Sequence, residues 1–399
     1  MDITLFPRTL RGTVNAIPSK SQAHRVLICT AFSDQTTFVQ CDQTNEDIEA
    51  TADCLRSLGA KIIRTDHGYE VKPVKIIPAQ ATLNCRESGS TLRFMLPVVG
   101  ALGVDATFQL AGRLPYRPLS PLWEEMQRMG CTLTRPTENA IHCVGQLLPG
   151  RYTIRGNVSS QFITGLLFAA ALIPGYTNIE ITGKLESEPY IKLTQQVLAN
   201  FGVNTGNFCT KGSRPFKSPG TFTVEGDWSN GAFFLAAEAL GCPVTVCGLD
   251  PDSTQGDRTC AQLFDGLKHG NLTINCSDIP DLVPILSVVA AYHHGATFEN
   301  ISRLRLKESD RVESVLNLLH ALGATAWADT DKMYVEPGSF SECTVDSVND
   351  HRIAMAAAIA ATTAHGPVTI LGADCVKKSY PSFWEEYRRL GGHYEQYIR

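Results

Sequence analysis

The sequence predicts an α/β protein of six βαβαββ units that divide into two domains, with a ligand cleft between them. Three observations carry that prediction. A helical segment ending in glycine recurs six times, a nearly all-apolar segment recurs six times, and β-rich runs lie between them. The helix ends are CLRSLG at Gly59, EMQRMG at Gly130, VLANFG at Gly202, LFDGLKHG at Gly270, LLHALG at Gly323 and YRRLGG at Gly391. Their spacings are 71, 72, 68, 53 and 68 residues, so only one interval is short.

The elements follow in order. AHRVLICTAF (23–32), STLRFMLPVVGAL (90–102), SQFITGLLFAAAL (160–172), NGAFFLAAEAL (230–240), LVPILSVVAAY (282–292) and HRIAMAAAIAATTA (351–364) are apolar on every face. Helices of that kind belong inside a large domain. LWEEMQRMG and RVESVLNLLHALG alternate faces at helical period and suit an outer position. ATFQLAG, YTNIEITG, PVTVCG, ATFENI and PVTILG read as strands, often bounded by Gly or Pro.

Composition narrows the function classes. Of 399 residues 43% are apolar and 19% charged, which supports a large core and excludes global disorder. The 35 Lys and Arg against 40 Asp and Glu leave a net charge of -5, which argues against a nucleic-acid partner bound through a basic surface. The 13 cysteines contain no CxxC and no zinc-ligand spacing, so they read as small buried hydrophobes in a reducing compartment. MDITLFPRTLRG lacks a signal-peptide core, and FITGLLFAAALIPGY is too short and punctuated to span a bilayer. A cytoplasmic protein with no membrane partner is expected. Neither GxGxxG opening an early βαβ unit nor GxxxxGK[ST] is present, which weakens the nucleotide readings.

Basic residues gather at the starts of the buried helices: Lys20 and Arg25 in PSKSQAHR, Arg93 in ESGSTLR, Lys307 and Arg311 in LKESDR, and Arg352 in NDHR. Arg117 in LPYRP and Lys378 in VKKSYP stand in comparable places. A helix start offers free N–H groups and the positive dipole end, and arginine adds a fork matched to carboxylate or phosphoryl oxygens. Ser159, Ser160 and Gln161 add neutral donors ahead of another helix. The recurrence points to small ligands carrying several negative charges. Asp281, Glu308 and Asp350 supply carboxylates beside these cations, although a carboxylate at a helix start is more often a cap than a base.

PSKSQAHR (18–25), LPYRP (114–118), NVSSQF (157–162), SEPYI (187–191), EGDWS (225–229), QGD (255–257), IPD (279–281), LKESDR (306–311), NDHR (349–352) and CVKKSYP (375–381) together resemble the 5-enolpyruvylshikimate-3-phosphate synthase family of enolpyruvyl transferases. The resemblance runs in order from about residue 12 to 384. It implies two domains of three βαβαββ units, one formed by 13–225 and the other by 1–12 with 226–399. It implies transfer of the enolpyruvyl group of phosphoenolpyruvate to the 5-hydroxyl of shikimate 3-phosphate, with no metal, redox or organic cofactor, by a monomer. Ser21, Arg25, Ser159, Ser160, Gln161, Ser187 and Tyr190 resemble the shikimate 3-phosphate positions, joined by Lys20, Asp281, Arg303 and Lys307. Lys20, Gly89, Arg93, Arg117, Gln161, Arg311, Arg352 and Lys378 resemble the phosphoenolpyruvate positions. Asp281, Glu308 and Lys20 resemble the proton-transfer groups.

Some positions depart from the family. Glu87-Ser88-Gly89-Ser90 stands where Asn-Ala-Gly-Thr is frequent, Arg303 where asparagine is frequent, and Ala111 where an aspartate often precedes LPYRP. A glutamate near an anion pocket repels the ligand unless it is turned away or paired. The response to glyphosate, the phosphoenolpyruvate mimic the resemblance brings in as an inhibitor, is left open by these changes. AGRLPYRP (111–118) has no cysteine where the sister transferases acting on UDP-N-acetylglucosamine usually carry one.

Overall fold

The first two strands, β1 (Asp2–Phe6) and β2 (Gly12–Asn15), both pair with distant segments, Ile3 opposite Ile370 and Val14 beside Val246. The computed structural model describes residues 1–212 and 215–397. The chain divides into two units, 18–225 and 1–17 with 226–399. The first crossing therefore falls at Ile17–Pro18 rather than after residue 12, because the β2 ladder ties 12–15 to the later unit.

In the 18–225 unit, α1 (Lys20–Ala31), β3 (Thr37–Gln40), α2 (Glu46–Ser57), β4 (Lys61–Thr65) and β5 (Gly68–Lys72) come first. Next come β6 (Gln80–Asn84), α3 (Gly89–Leu102), β7 (Asp105–Gln109), α4 (Leu122–Arg128), β8 (Cys131–Thr137) and β9 (Ala140–Gly145). Then follow β10 (Arg151–Arg155), α5 (Ser160–Leu172), β11 (Gly175–Thr182), α6 (Glu188–Asn200), β12 (Cys209–Gly212) and β13 (Thr221–Thr223). Three sheets result, ordered β13-β3-β5-β4, β6-β7-β9-β8 and β10-β11-β12. The middle one is a contiguous βαβαββ unit. The first borrows β13 from the end of the segment, and the third has three strands among the described residues.

The other unit continues with α7 (Trp228–Ala239), β14 (Val244–Cys247), α8 (Cys260–His269), β15 (Leu272–Asn275), α9 (Val283–Tyr292), β16 (Ala296–Glu299), α10 (Arg311–Ala321), β17 (Ala326–Ala328) and β18 (Lys332–Val335). It closes with β19 (Cys343–Asp346), α11 (His351–Ala360), β20 (Val368–Leu371), α12 (Phe383–Arg389) and β21 (His393–Tyr397). Its sheets are β14-β2, β15-β16-β18-β17 and β19-β20-β1-β21. In the first of these, α8 runs through Gly270 into β15 with no terminal hairpin, which accounts for the short interval between Gly270 and Gly323.

The six apolar segments are interior helices. In α5 every residue but Gln161 is buried, and in α11 every residue is. Each unit has its own apolar core, and ten of the thirteen cysteines are buried as small apolar groups. Outer helices bury one stripe only, such as Val312, Ser314, Val315, Leu318 and Leu319 of α10. Side-chain caps start the interior helices: Ser19, Ser88, Ser159, Asp227 and Asp350 each accept from a backbone N–H of the first turn. Each such cap contributes about 1 kcal/mol. Among the described residues no helix is long and apolar enough to cross a membrane.

Candidate active site

Each unit carries its own cluster of candidate groups. In the 18–225 unit, the close approach of α3 and α5 builds the first part. A Cβ on Gly165 would lie 2.2 Å from the Arg93 carbonyl oxygen, so only glycine lets the two helices meet there. The approach brings Gln161 to Arg93, whose Nη1 donates to Oε1 of Gln161 at 2.9 Å. Nε2 of Gln161 donates to Ser90 Oγ at 3.0 Å, and Arg93 Nη2 donates to the Pro118 carbonyl at 3.2 Å. Arg117 follows the short 114–116 helical turn. A Cβ on Gly89 would sit 2.6 Å from Arg117 Nη1 and 2.8 Å from Arg93 Nη1. Two guanidinium groups thus converge on the first residue of α3, where backbone N–H groups are also directed.

Glu87, the departure that threatened this pocket, has its carboxylate turned onto Gly112: a Cβ there would fall 2.6 Å from Glu87 Oε2. The φ of +56° at Gly112 suits glycine and leaves the space that Glu87 fills.

The start of α1 carries the second part. Lys20 Nζ lies 3.0 Å from Asp47 of α2, an ion pair the sequence did not reveal. Arg25 is 3% exposed and is held entirely by neutral acceptors. Its Nε donates to Thr194 Oγ1 at 2.8 Å, Nη1 to the Ser21 carbonyl, and Nη2 to the Tyr190 carbonyl at 3.0 Å and Thr164 Oγ1 at 3.5 Å. Among the described residues no carboxylate pairs with it, and burial pulls its guanidinium down to about 9. A buried cation without a counter-ion is a site for an anion. Ser159 caps α5, Ser160 is buried behind it, and Ser187 precedes α6 in a left-handed conformation at φ 56°. Ser187 makes no side-chain cap hydrogen bond, so the Ser159 and Ser187 hydroxyls differ in use.

In the other unit, Asp281 is not a helix cap. Leu282 holds the N-cap position of α9, and the Asp281 carboxylate turns to three cations instead. Oδ1 accepts from Arg311 Nη1 at 2.6 Å and lies 3.5 Å from Lys307 Nζ, while Oδ2 accepts from Arg352 Nη2 at 3.1 Å. Burial pushes this carboxyl upward, but Arg352, Lys307 and Arg311 overcome that and hold it well below the usual carboxylate range. Arg311 is 1% exposed and spends each of its three nitrogens on a different carboxylate: Asp281 on Nη1, Glu308 on Nη2 at 2.7 Å and Asp350 on Nε at 2.9 Å. Arg311 thus stands among acids, where the family pattern places it in an anion clamp.

Asp350, also fully buried, accepts from Ser309 Oγ and from the backbone N–H of Arg352. It links the LKESDR and NDHR segments, and the sequence showed only that it stood beside His351 and Arg352. Burial pulls Lys307 down to about 8, against the pull of Asp281, with Arg311 and Arg303 adding repulsion. Lys378 Nζ donates to the Asn349 carbonyl at 2.9 Å, beside the start of α11. Two hollows of about 470 and 340 Å³ open around Gly202, Val203 and Asn204 past the end of α6 and contain none of these groups. No group of three His, Cys, Asp or Glu among the described residues is placed to hold a metal ion.

Interior helices whose starts present cations and hydroxyls, in a two-unit α/β fold, define a protein that binds small polyanions and places carboxylates among their counter-charges. The chain is matched by the family model for EPSP synthase (3-phosphoshikimate 1-carboxyvinyltransferase) over residues 6–265 and 268–387. It belongs to that family and is an enzyme of that class. The 3-phosphoshikimate 1-carboxyvinyltransferase of Clostridium kluyveri is 37% identical over 420 residues, covering 99% of this chain and 98% of that protein. That of Clostridium perfringens is 37% identical over 417 residues, covering 98% of each. The structure of EPSP synthase from Acinetobacter baumannii is similar with a TM-score of 0.78 at 21% identity, covering 99% of this chain and all of that one, a likeness of fold.

Proposed function

We propose that this enzyme carries out the enolpyruvyl-transfer step of the shikimate pathway, on the route to the aromatic amino acids. The carboxyvinyl group of phosphoenolpyruvate passes to the 5-hydroxyl of shikimate 3-phosphate, and inorganic phosphate leaves. The family match over nearly the whole chain carries this reading. The chemistry agrees with it, since two phosphates and two carboxylates need many cations and Arg25 is a buried cation without an acid.

In this reading shikimate 3-phosphate takes Ser21, Arg25, Ser159, Ser160, Ser187 and Tyr190, with Gln161 against its ring and Arg303 and Lys307 on its anionic groups. Phosphoenolpyruvate takes Gly89, Arg93, Arg117 and Lys20, with Arg352 and Lys378. The 5-hydroxyl oxygen bonds to C2 of phosphoenolpyruvate as its proton passes to a base, and C3 receives a proton. The ketal phosphate then loses a proton from C3 as the C–O bond to phosphate breaks, which restores the double bond. Asp281 is the base for the hydroxyl, and Glu308 and Lys20 serve the proton at C3. Three neighbouring cations make Asp281 a weak base in the free enzyme. Substrate anions engaging Lys307 and Arg352 would offset those cations and raise its basicity when a proton must be taken.

The reading extends to a cytoplasmic monomer, with the response to glyphosate at the phosphoenolpyruvate positions left open by Glu87 and the Gly89–Ser90 context. The test is phosphate release from the purified protein with both substrates, each omitted in turn, in the presence of a chelator. Release that needs both, with the enol ether seen by mass spectrometry, is expected. Turnover on UDP-N-acetylglucosamine instead would move the reading to the sister transferases.

Two further outcomes follow from the geometry. Gly89→Ala places a methyl group against Arg93 and Arg117, whose guanidinium ends must part. KM for phosphoenolpyruvate should rise about tenfold or more, with a smaller change for shikimate 3-phosphate, in steady-state kinetics. Lys307, pulled down to about 8, loses its charge as pH rises through that value. Affinity for shikimate 3-phosphate should therefore fall on the alkaline side, and Lys307→Arg, which holds its proton more strongly, should move that limb to higher pH in a series of binding titrations.

A further inference from the structure

Arg25 shows how a buried cation is aimed without being neutralised. Its five N–H groups face four acceptors: two threonine hydroxyls and two backbone carbonyls. One N–H on Nη1 is left over. Thr164 lies on α5 and Thr194 on α6, both 0% exposed, and their hydroxyls stand 2.9 Å apart. Thr194 also donates to the Tyr190 carbonyl at 2.9 Å, so the same small network joins the helices that begin at Ser159–Ser160 and Ser187 to Arg25 of α1. Phe94 of α3 covers the guanidinium, 5.1 Å from ring centroid to Cζ. A carboxylate at either threonine position would hold the arginine more strongly but would cancel its charge. A hydroxyl orients it and leaves the charge for a ligand.

We propose that Thr164 and Thr194 are positioning residues that fix the Arg25 guanidinium for an anionic group of shikimate 3-phosphate while keeping its charge uncompensated. This rests on the function proposed above. Neither threonine lies at a helix start or in any motif of the family pattern. In sequence Thr164 reads as filling of an apolar helix, and Thr194 stands unmarked in the helix that ends at Gly202.

The test is direct binding of shikimate 3-phosphate to the full chain by calorimetric titration, alongside steady-state kinetics. Thr194→Val, which replaces the hydroxyl with a methyl group of similar size, should raise Kd about tenfold and leave KM for phosphoenolpyruvate unchanged. Thr194→Ser should restore binding. Thr194→Asp should bind more weakly than Thr194→Val, although a carboxylate is the better partner for arginine. A role in packing alone predicts the opposite order for those two, because Asp would hold Arg25 in place. Thr164→Val, which loses the longer hydrogen bond, should show the same effect more weakly and serves if Thr194→Val does not fold. Wild-type affinity in both valine variants, or tighter binding by Thr194→Asp than by Thr194→Val, would overturn the proposal. Absence of binding by the wild-type protein would instead overturn the function it rests on, and the proposal with it.

Discussion

Asp281→Asn is expected to lower kcat about a thousandfold while leaving the KM of both substrates unchanged or lower. The side chain keeps its size, but its charge and its ability to take a proton are gone. In the native protein Arg311, Arg352 and Lys307 all spend part of their attraction on this carboxylate. Once it is neutral, that attraction is available to ligand anions, so binding should not weaken as turnover collapses. An ordinary structural acid would give the reverse pattern, with weaker binding and nearly intact turnover. In the free enzyme Asp281 remains ionised well below the usual carboxylate range, so no acid limb of kcat/KM near neutrality should trace to it. Steady-state kinetics on the variant decide the matter, and a kcat within tenfold of the native value would remove Asp281 from the chemistry.

The contrast between what the sequence disclosed and what it hid has physical causes. The starts of α1, α3 and α11 were legible because a capping residue, a cation and an apolar run occur together within a few residues, and that of α5 because Ser159, Ser160 and Gln161 lead into an apolar run. Strands β1 and β13 were not, since their partners lie at the opposite ends of their segments: Leu5 opposite Val368 and Phe222 beside Val39. A three-residue strand such as β13 carries too little alternation to be seen without that partner. The same long-range pairing set the first crossing at Ile17–Pro18, beyond the boundary at residue 12.

At the site, sequence showed where each charge stood but not which way it pointed. Asp281 looked like a cap and is a counter-ion. Arg311 resembled a clamp and holds three acids drawn from 281, 308 and 350, segments no local pattern connects. Thr164 was invisible because a threonine inside an apolar helix reads as filler, and Thr194 because nothing in the sequence of α6 sets it apart from its neighbours. Only the approach of α1, α5 and α6 makes their hydroxyls partners of a cation.

Arg311→Met should have the largest effect on stability of any single change in this site. The arginine is 1% exposed and Asp350 is not exposed at all, so the substitution leaves the Asp350 carboxylate buried beside an apolar side chain. Breaking a buried ion pair from one side costs about 3–5 kcal/mol, which for a unit of this size lowers Tm by roughly 6–20 °C. Arg311→Lys should recover little of it, because one ammonium cannot replace three nitrogens aimed at Asp281, Glu308 and Asp350. The pH dependence identifies the cause. In the native protein Asp281 and Asp350 are held below their ordinary range, so their contribution is full above the unfolded carboxylate pKa of about 4 and is lost as pH falls through the folded values. Without Arg311 burial dominates at Asp350 and its folded pKa rises above the unfolded one. The penalty is then greatest at neutral pH and shrinks as pH falls and the group is protonated. The gap in Tm between native protein and variant should therefore narrow on acidification from about pH 7 to about pH 4.5. A gap that stays constant over that range would mean that Arg311 stabilises the unit by packing rather than by charge.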